Sequence, residues 1–241
     1  DNSISFDQIE IFTKNKKKVS TMIIDIKNIN KLPLTIKKKV LKDIKKITAK
    51  REFLRKKNHM LMGVLNLTPD SFSDGGKFNS FKKASKRIKN MIDAGADIID
   101  VGGESTRPGS EIVSQKIELQ RVKQIIKKFK NTYPKTLLSI DTRKSLVMSF
   151  SIKHNLDIVN DVSTFRFDPK SFDIIKNQNI WKIIHHMQGT PQTMQINPKY
   201  DHVILDIYDF FEKKIKLFKK FKHHKKIILD HGIGFGKNLK H

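Results

Sequence analysis

The sequence predicts an α/β fold of the (β/α)8 TIM-type barrel, and three observations carry that prediction. From Asn58 onward, short apolar runs alternate with longer stretches of helical period: LMGVLN (61–66), DIIDVGG (97–103), LLSID (137–141), DIVND (157–161), WKIIHHM (181–187) and KIILD (226–230). Repeated strand-then-helix calls for a parallel sheet with helical crossovers. Nearly every run also terminates in a polar, chemically useful residue: Asn66, Glu104 shortly after a glycine pair, Asp141, Asn160, His186 and Asp230. Carboxyl ends of barrel strands converge on one site, whereas an open sheet gathers only those at its switch point. The runs number six, two short of closure, so the barrel is expected to be truncated after its sixth strand.

Residues 1–56 differ from the rest and are expected to form an N-terminal extension. Ile9 to Phe12 and Val19 to Ile26 suit two short strands flanking the turn-like KNKKK, and Leu34 to Ile47 reads as a basic amphipathic helix. Residues 57–241 are then the barrel domain, incomplete at its C-terminus. Between the first and second strands, Phe81, Ala84, Ile88, Met91 and Ile92 recur at spacings of three and four, and Gly95 is placed to end that helix. Leu119, Val122, Ile125, Ile126 and Phe129 mark a helix before the third strand; Ile204, Tyr208, Phe211, Ile215 and Phe218 mark one before the sixth. No internal repeat or low-complexity linker interrupts the pattern.

With 241 residues and 37% hydrophobic content the chain can bury a sizeable core. No apolar run approaches the roughly 18 residues that span a bilayer, and the first twenty lack the apolar core of a signal peptide, so no membrane partner and a cytoplasmic address are expected. The absence of cysteine excludes disulfides, thiolate catalysis and cysteine-bound metal; any metal must sit on oxygen or imidazole. A net charge of +25 raises the question of a nucleic-acid partner. The lysines, however, recur within IKKKVLKDIKK, FKKASKRIK and FEKKIKLFKKFKHHKK, interleaved with apolar residues at helical spacing, which is the pattern of solvated helix backs. No nucleic acid is expected, although a positive field draws in anionic small substrates.

The stretch Asn66 to Gly76 is longer and more polar than an ordinary strand-to-helix loop requires. An Asn at a strand end offers a carbonyl oxygen to a hard cation such as Mg2+, which takes its other ligands from water and phosphate. ESTRPGS (104–110) supplies two hydroxyls and a guanidinium in Ser105, Thr106 and Arg107, stiffened by Pro108. That set suits phosphate or carboxylate, and equally a helix-capping loop with a surface Arg. Asp141, Asn160 and Asp230 end three separate strands. Singly each is also a cap or turn residue; in one cavity they offer the acceptors and the amide that grip an aminopyrimidinone edge. GIGFGK (232–237) lacks the spacing of a nucleotide phosphate loop. Of His185 and His186, adjacent in a strand, one must face away from the other.

GVLNLTPDSFSDGG, IIDVGGESTRPGS, SIDTRKS, IVNDVSTF, HHMQGTPQTMQ and ILDHGIGFGKNLKH, in this order, resemble dihydropteroate synthase of folate biosynthesis over Met60 to His241. The resemblance implies a (β/α)8 barrel transferase that joins p-aminobenzoate to 6-hydroxymethyl-7,8-dihydropterin diphosphate, releasing pyrophosphate, a sulfonamide target and a homodimer when complete. It implies Mg2+ on Asn66 and a pterin ring held by Asp141, Asn160 and Asp230, with Asp100, Met187 and Lys237 as further pocket or supporting positions. Pro69, Phe72 and Asp74 would belong to a closing lid; Thr106, Arg107 and Pro108 would form a second loop near the diphosphate and the aminobenzoate. Asp74 and Arg107 would be catalytic, Asp74 stabilising a cationic methylene carbon and Arg107 the departing diphosphate.

Two departures stand out. His231 occupies a position where the family usually has Pro, and the family's last two strands, with a Ser-Arg-Lys-Ser and an Arg-x-His motif, have no counterpart. The chain is therefore expected to be a fragment of a longer protein, inactive alone. A methyltetrahydrofolate-binding methyltransferase domain would share the pterin-binding barrel, but TPDSFSDGG and STRPGS point to diphosphate chemistry.

Overall fold

A computed structural model describes residues 5–15, 18–49, 59–68, 77–105 and 111–241. The chain divides into two compact units, Asp1–Asn58 and His59–His241.

In the first unit β1 (Gln8–Asn15) pairs antiparallel with β2 (Lys18–Asp25), from Gln8 opposite Asp25 to Asn15 opposite Lys18. A short 3-10 turn, Ile26–Lys31, leads through Pro33 into α1 (Leu34–Ile47). Ile29, Leu32 and Val40 are its buried centre, with Ile9, Ile11, Ile24, Ile36 and Ile44 packed around them. Alternation on β1 brings Ile9 and Ile11 to one face, while the lysines of α1 other than the half-buried Lys37 are exposed.

The second unit is a parallel sheet of six strands: β3 (Met62–Asn66), β4 (Ile98–Gly102), β5 (Leu137–Asp141), β6 (Ile158–Asp161), β7 (Trp181–His185) and β8 (Ile227–Asp230). Between them run α2 (Lys77–Asp93), α3 (Gln115–Thr132), α4 (Ser145–Ile152), α5 (Pro169–Ile175) and α6 (Val203–Phe218). Strand order follows chain order throughout, with no reversal and so no switch point. That is the winding of a (β/α)8 barrel rather than of a doubly wound sheet.

Two helices escape the periodicity argument for physical reasons. SLVMSFSI of α4 is apolar nearly all round, so no face stands out; α5 has only seven residues, too few for a period to show. The run WKIIHHM also ends as a strand at His185, earlier than expected, and His186 and Met187 belong to the following loop.

Period two sorts every strand into two faces. Leu65, Ile99, Val101, Leu138, Ile140, Val159 and Ile184 face the helices and meet Ile88, Val122, Ile126, Phe129 and Phe218 in one buried core. Each such side chain contributes about 1.5–3 kcal/mol on burial. The opposite face carries Asn66, Asp100, Gly102, Ser139, Asp141, Asn160, His185 and Asp230. A one-residue slip of β5 would push Ser139 and Asp141 into the apolar layer, so the core fixes which groups reach the inner face. No helix among the described residues is long and apolar enough to cross a membrane.

Candidate functional site

Parallel register places Asn66 beside Gly102, Gly102 beside Asp141, and Asp141 beside Asn160, in one row at the carboxyl ends of β3 to β6. Gly102 keeps this row open: a Cβ there would lie 3.0 Å from Asn66 Oδ1 and 3.5 Å from Asp141 Oδ2. One pleat deeper, Asp100 Oδ2 accepts a hydrogen bond from Asn160 Nδ2 at 2.9 Å, which orients the amide. Among the described residues, Asp141 Oδ1 and Asn160 Oδ1 are buried without a hydrogen-bond partner. Each orphaned acceptor costs about 1–3 kcal/mol, an expense that a ligand presenting N–H groups removes.

Electrostatics sharpen the point. Burial, followed by the negative charge of Asp100, Glu118, Asp161 and Glu104, holds the Asp141 carboxyl well above the ordinary carboxylate range. Burial also raises Asp100, against hydrogen bonds from Ser139 and Asn160 that favour its ionised form. Two neighbouring buried carboxyls make an acceptor site for a donor-rich or cationic ligand edge.

At the ends of β7 and β8, His185 stands opposite Asp230. His185 Nδ1 lies 3.5 Å from Asp230 Oδ2, while Asp230 Oδ1 accepts the Gly232 N–H at 2.8 Å. Gly232 (φ +65°) could not be replaced without conflict, since a Cβ would sit 2.2 Å from the His186 carbonyl oxygen. Gly234 and Gly236 also have positive φ, so GIGFGK is a tight backbone turn rather than a phosphate cradle. Lys237 braces that turn from within: its ammonium reaches the carbonyls of Gly232 (3.0 Å), Phe235 (3.1 Å) and His186 (3.4 Å) and His186 Nδ1 (3.1 Å). Its donors are directed at the protein's own carbonyls and His186. Met187 is buried in the loop just after β7. His231 is exposed, its Nδ1 3.8 Å from Asp230 Oδ1.

With Lys237 donating to it, His186 must be neutral, and burial followed by the Lys237 charge lowers its pKa to about 4. The unfolded chain protonates His186 near the usual ~6.5, whereas the fold resists it. Its contribution to stability is therefore complete above pH ~6.5 and is lost, at about 1.4 kcal/mol per pH unit, as pH falls towards the folded value. We expect His186→Gln, which retains an acceptor for Lys237, to flatten the stability profile over that interval. Parallel wild-type and variant profiles in urea titrations would refute the assignment.

A buried ionic cluster lies just behind the row. Glu104 Oε2 takes Arg143 Nη2 at 2.6 Å and Nε at 3.2 Å, and Oε1 takes Lys144 Nζ at 2.7 Å and the Val113 N–H at 3.1 Å. Lys144 Nζ also reaches Glu118 Oε2 at 2.6 Å, and the Arg143 guanidinium stacks 4.1 Å over Phe167. All four charged side chains are at most 5% exposed. Sequence reasoning overlooked this cluster, reading Glu104 only as a strand-end acid. A signal existed in Glu118, which precedes Val122 by four residues and so falls on the buried stripe of α3.

The structure thus brings Asn66, Asp100, Asp141 and Asn160 together and sets His185 and Asp230 on the same sheet face. Pro69, Phe72, Asp74, Thr106, Arg107 and Pro108 lie outside the described residues. Among the described residues no three His, Asp or Glu side chains group as a metal cage. A hard cation at Asn66 would have one protein oxygen here and take the rest from water and ligand oxygens, as Mg2+ does.

Residues 62–241 match the family described as pterin binding enzyme. The chain is 43% identical over 182 residues to the dihydropteroate synthase of Escherichia coli strain K12, a match covering 75% of this chain and 64% of that protein. The chain thus spans less than two thirds of that relative's length. Among solved structures, Yersinia pestis dihydropteroate synthase in a sulfonamide drug complex superimposes with a TM-score of 0.69 at 38% identity, covering 76% of this chain and 66% of that one. Burkholderia cenocepacia dihydropteroate synthase complexed with 7,8-dihydropteroate gives 0.64 at 35% identity, covering 77% and 61%.

Proposed function

Because this chain belongs to the pterin binding enzyme family, we propose that it carries the pterin-holding part of a dihydropteroate synthase, which joins p-aminobenzoate to 6-hydroxymethyl-7,8-dihydropterin diphosphate and releases pyrophosphate. The observation that carries the reading is the row of buried, unpartnered acceptors at Asp141 and Asn160. An aminopyrimidinone ring presents an amino group and a ring N–H beside a carbonyl, and a carboxylate next to an amide matches that edge. Asp100 orients the Asn160 amide, and Asp230 reaches the ring from the far side. Met187 lends apolar surface, and Lys237 holds the turn after Asp230 in place.

Chemistry at the methylene carbon follows from charge. As the diphosphate departs, Arg107 neutralises the negative charge growing on its oxygens, and Asp74 stabilises the carbon left electron-poor for attack by the aminobenzoate amine. Pro69 and Phe72 on one loop and Thr106 and Pro108 on the other exclude water from that step. Asn66 would hold Mg2+, which when bound supplies further neutralisation of the diphosphate. No covalent enzyme intermediate is required. The same reading makes residues 1–56 an extension beside a pterin-binding domain of 57–241, within a cytoplasmic homodimer.

The test is formation of dihydropteroate and pyrophosphate from the two substrates by the complete protein; methyl transfer from methyltetrahydrofolate with no condensation would replace this reading by another. A finer test separates ring from diphosphate. Arg107→Ala and Asn66→Ala are expected to weaken the pterin diphosphate by at least about 2 kcal/mol in the presence of Mg2+ while sparing the pterin alcohol. Equal losses for both ligands would contradict these roles.

A further inference from the structure

His186 is engaged by Lys237, whereas its neighbour His185 turns to the inner face and stands opposite Asp230. The surroundings of His185 hold it firmly. Its carbonyl accepts the Thr164 hydroxyl at 2.6 Å, and the Phe235 ring stands nearly upright against the imidazole, at 73° with centroids 4.6 Å apart. Gly232 closes the Nε2 edge, since a Cβ there would lie 2.5 Å from Nε2. The remaining edge, Nδ1, is 3.5 Å from Asp230 Oδ2. Asp230 stands in front with its side chain 44% exposed, and His185 behind it with 4%, so a ligand on the inner face meets the carboxylate and not the imidazole.

The proton of His185 has one good position. Burial, helped by the charges of Lys237 and His231 and opposed by Asp230, lowers its pKa below the usual histidine value, so the ring is neutral and carries a single N–H. On Nε2 that N–H would be a buried donor without an acceptor, and the Nδ1 lone pair would face a carboxylate. On Nδ1 it points at Asp230 Oδ2 and leaves Nε2 as the atom without a partner among the described residues. The separation is longer than a formed hydrogen bond, so the attraction is that of a dipole for a charge, which a buried ring feels strongly. Asp230 Oδ1 already accepts the Gly232 N–H at 2.8 Å, and a donor at Oδ2 fixes the carboxylate plane from its other end. His231, the second imidazole near Asp230, is exposed with Nδ1 3.8 Å from Oδ1 and has no such seat.

We propose that His185 is a positioning residue for the pterin ring that acts through Asp230, holding the carboxylate in the plane that meets the ring's N–H groups. The inference rests on the dihydropteroate synthase reading, in which Asp230 touches the ring; the contact between His185 and Asp230 stands without it.

The test sets His185→Leu, which keeps apolar bulk against Phe235 and removes the donor, beside His185→Asn, whose amide nitrogen falls near the place of Nδ1, both in the complete protein. His185→Leu is expected to weaken pterin alcohol and pterin diphosphate alike by about tenfold, and His185→Asn to recover to within about threefold of wild type. The aminobenzoate KM at saturating pterin diphosphate should stay within about threefold in both. On an Asp230→Ala background His185→Leu should change ring affinity by less than about twofold, because the effect has lost its carrier. Wild-type affinity in His185→Leu would overturn the proposal, as would an undiminished loss on the Asp230→Ala background. His185→Asn no better than His185→Leu would overturn it too, since the imidazole would then only fill space. Imidazole nitrogen shifts of the labelled protein, assigned by the signals that His185→Leu removes, give a readout that needs no ligand: the proton should sit on Nδ1 and lose that preference in Asp230→Ala. A proton on Nε2 refutes the positioning. If the wild-type protein binds neither pterin compound, the functional reading fails, and the nitrogen shifts alone decide whether His185 holds Asp230.

Discussion

Asp141→Asn is expected to weaken binding of the dihydropterin diphosphate by about 30- to 150-fold, or about 2–3 kcal/mol. Asp141 Oδ1 is a buried acceptor without a partner among the described residues, and the substitution places an N–H donor against a ligand edge that itself donates. The fold should tolerate the change, since an amide is nearly the same shape as the carboxyl and burial already disfavours a charge there. A second signature follows from the raised pKa of Asp141 in the unliganded site. Ligand donors favour the ionised carboxylate, so binding displaces a proton and affinity climbs with pH until the free carboxyl is ionised on its own. Calorimetry in two buffers of different ionisation enthalpy measures that proton; it should vanish in Asp141→Asn. Wild-type affinity in the variant would remove Asp141 from the pocket. Asp230→Asn should cost less, because the Asp230 side chain is 44% exposed and Oδ1 is already engaged by Gly232.

Lys144→Met is expected to destabilise the barrel unit by about 3–5 kcal/mol, the range for removing one partner of a buried ion pair. Lys144 Nζ touches both Glu104 and Glu118, so its loss leaves two buried carboxylates with Arg143 as the remaining cation of the cluster. Glu118 suffers most: it is wholly buried, burial already raises its pKa, and Lys144 is the hydrogen-bond partner that chiefly opposes the rise. Pairing Lys144→Met with Glu118→Leu should restore most of the loss, since it removes the stranded charge with its partner. Urea unfolding followed by Trp181, the single tryptophan, reads the barrel unit directly. A single variant within about 1 kcal/mol of wild type would show that the cluster is hydrated and not the buried network described.

Strand positions were legible because parallel strands carry an apolar outer face and a polar terminus, and both features are local in sequence. Asn66, Asp141, Asn160 and Asp230 could be picked out as strand ends on that ground alone. Their convergence also needed the sequential strand order, which repeated strand-then-helix allows but does not fix, since doubly wound sheets share that repeat. The helices α4 and α5 were not legible, one for lack of a polar face and the other for lack of length.

What the sequence by itself determined was therefore the α/β winding, most of the strand ends and the family, whose model matches residues 62–241. Tertiary structure alone decided the use of the charges behind them. Whether Lys144 is a solvated lysine or a bridge between two buried acids depends on Glu104 and Glu118, 40 and 26 residues away, and no local period records such a meeting. Likewise nothing local to Lys237 shows that the turn folds its ammonium onto backbone carbonyls and His186. The physical reason is common to both: hydrophobic burial has a period that a chain writes along itself, whereas a desolvated charge is stable only where distant elements deliver its partners within about 3 Å.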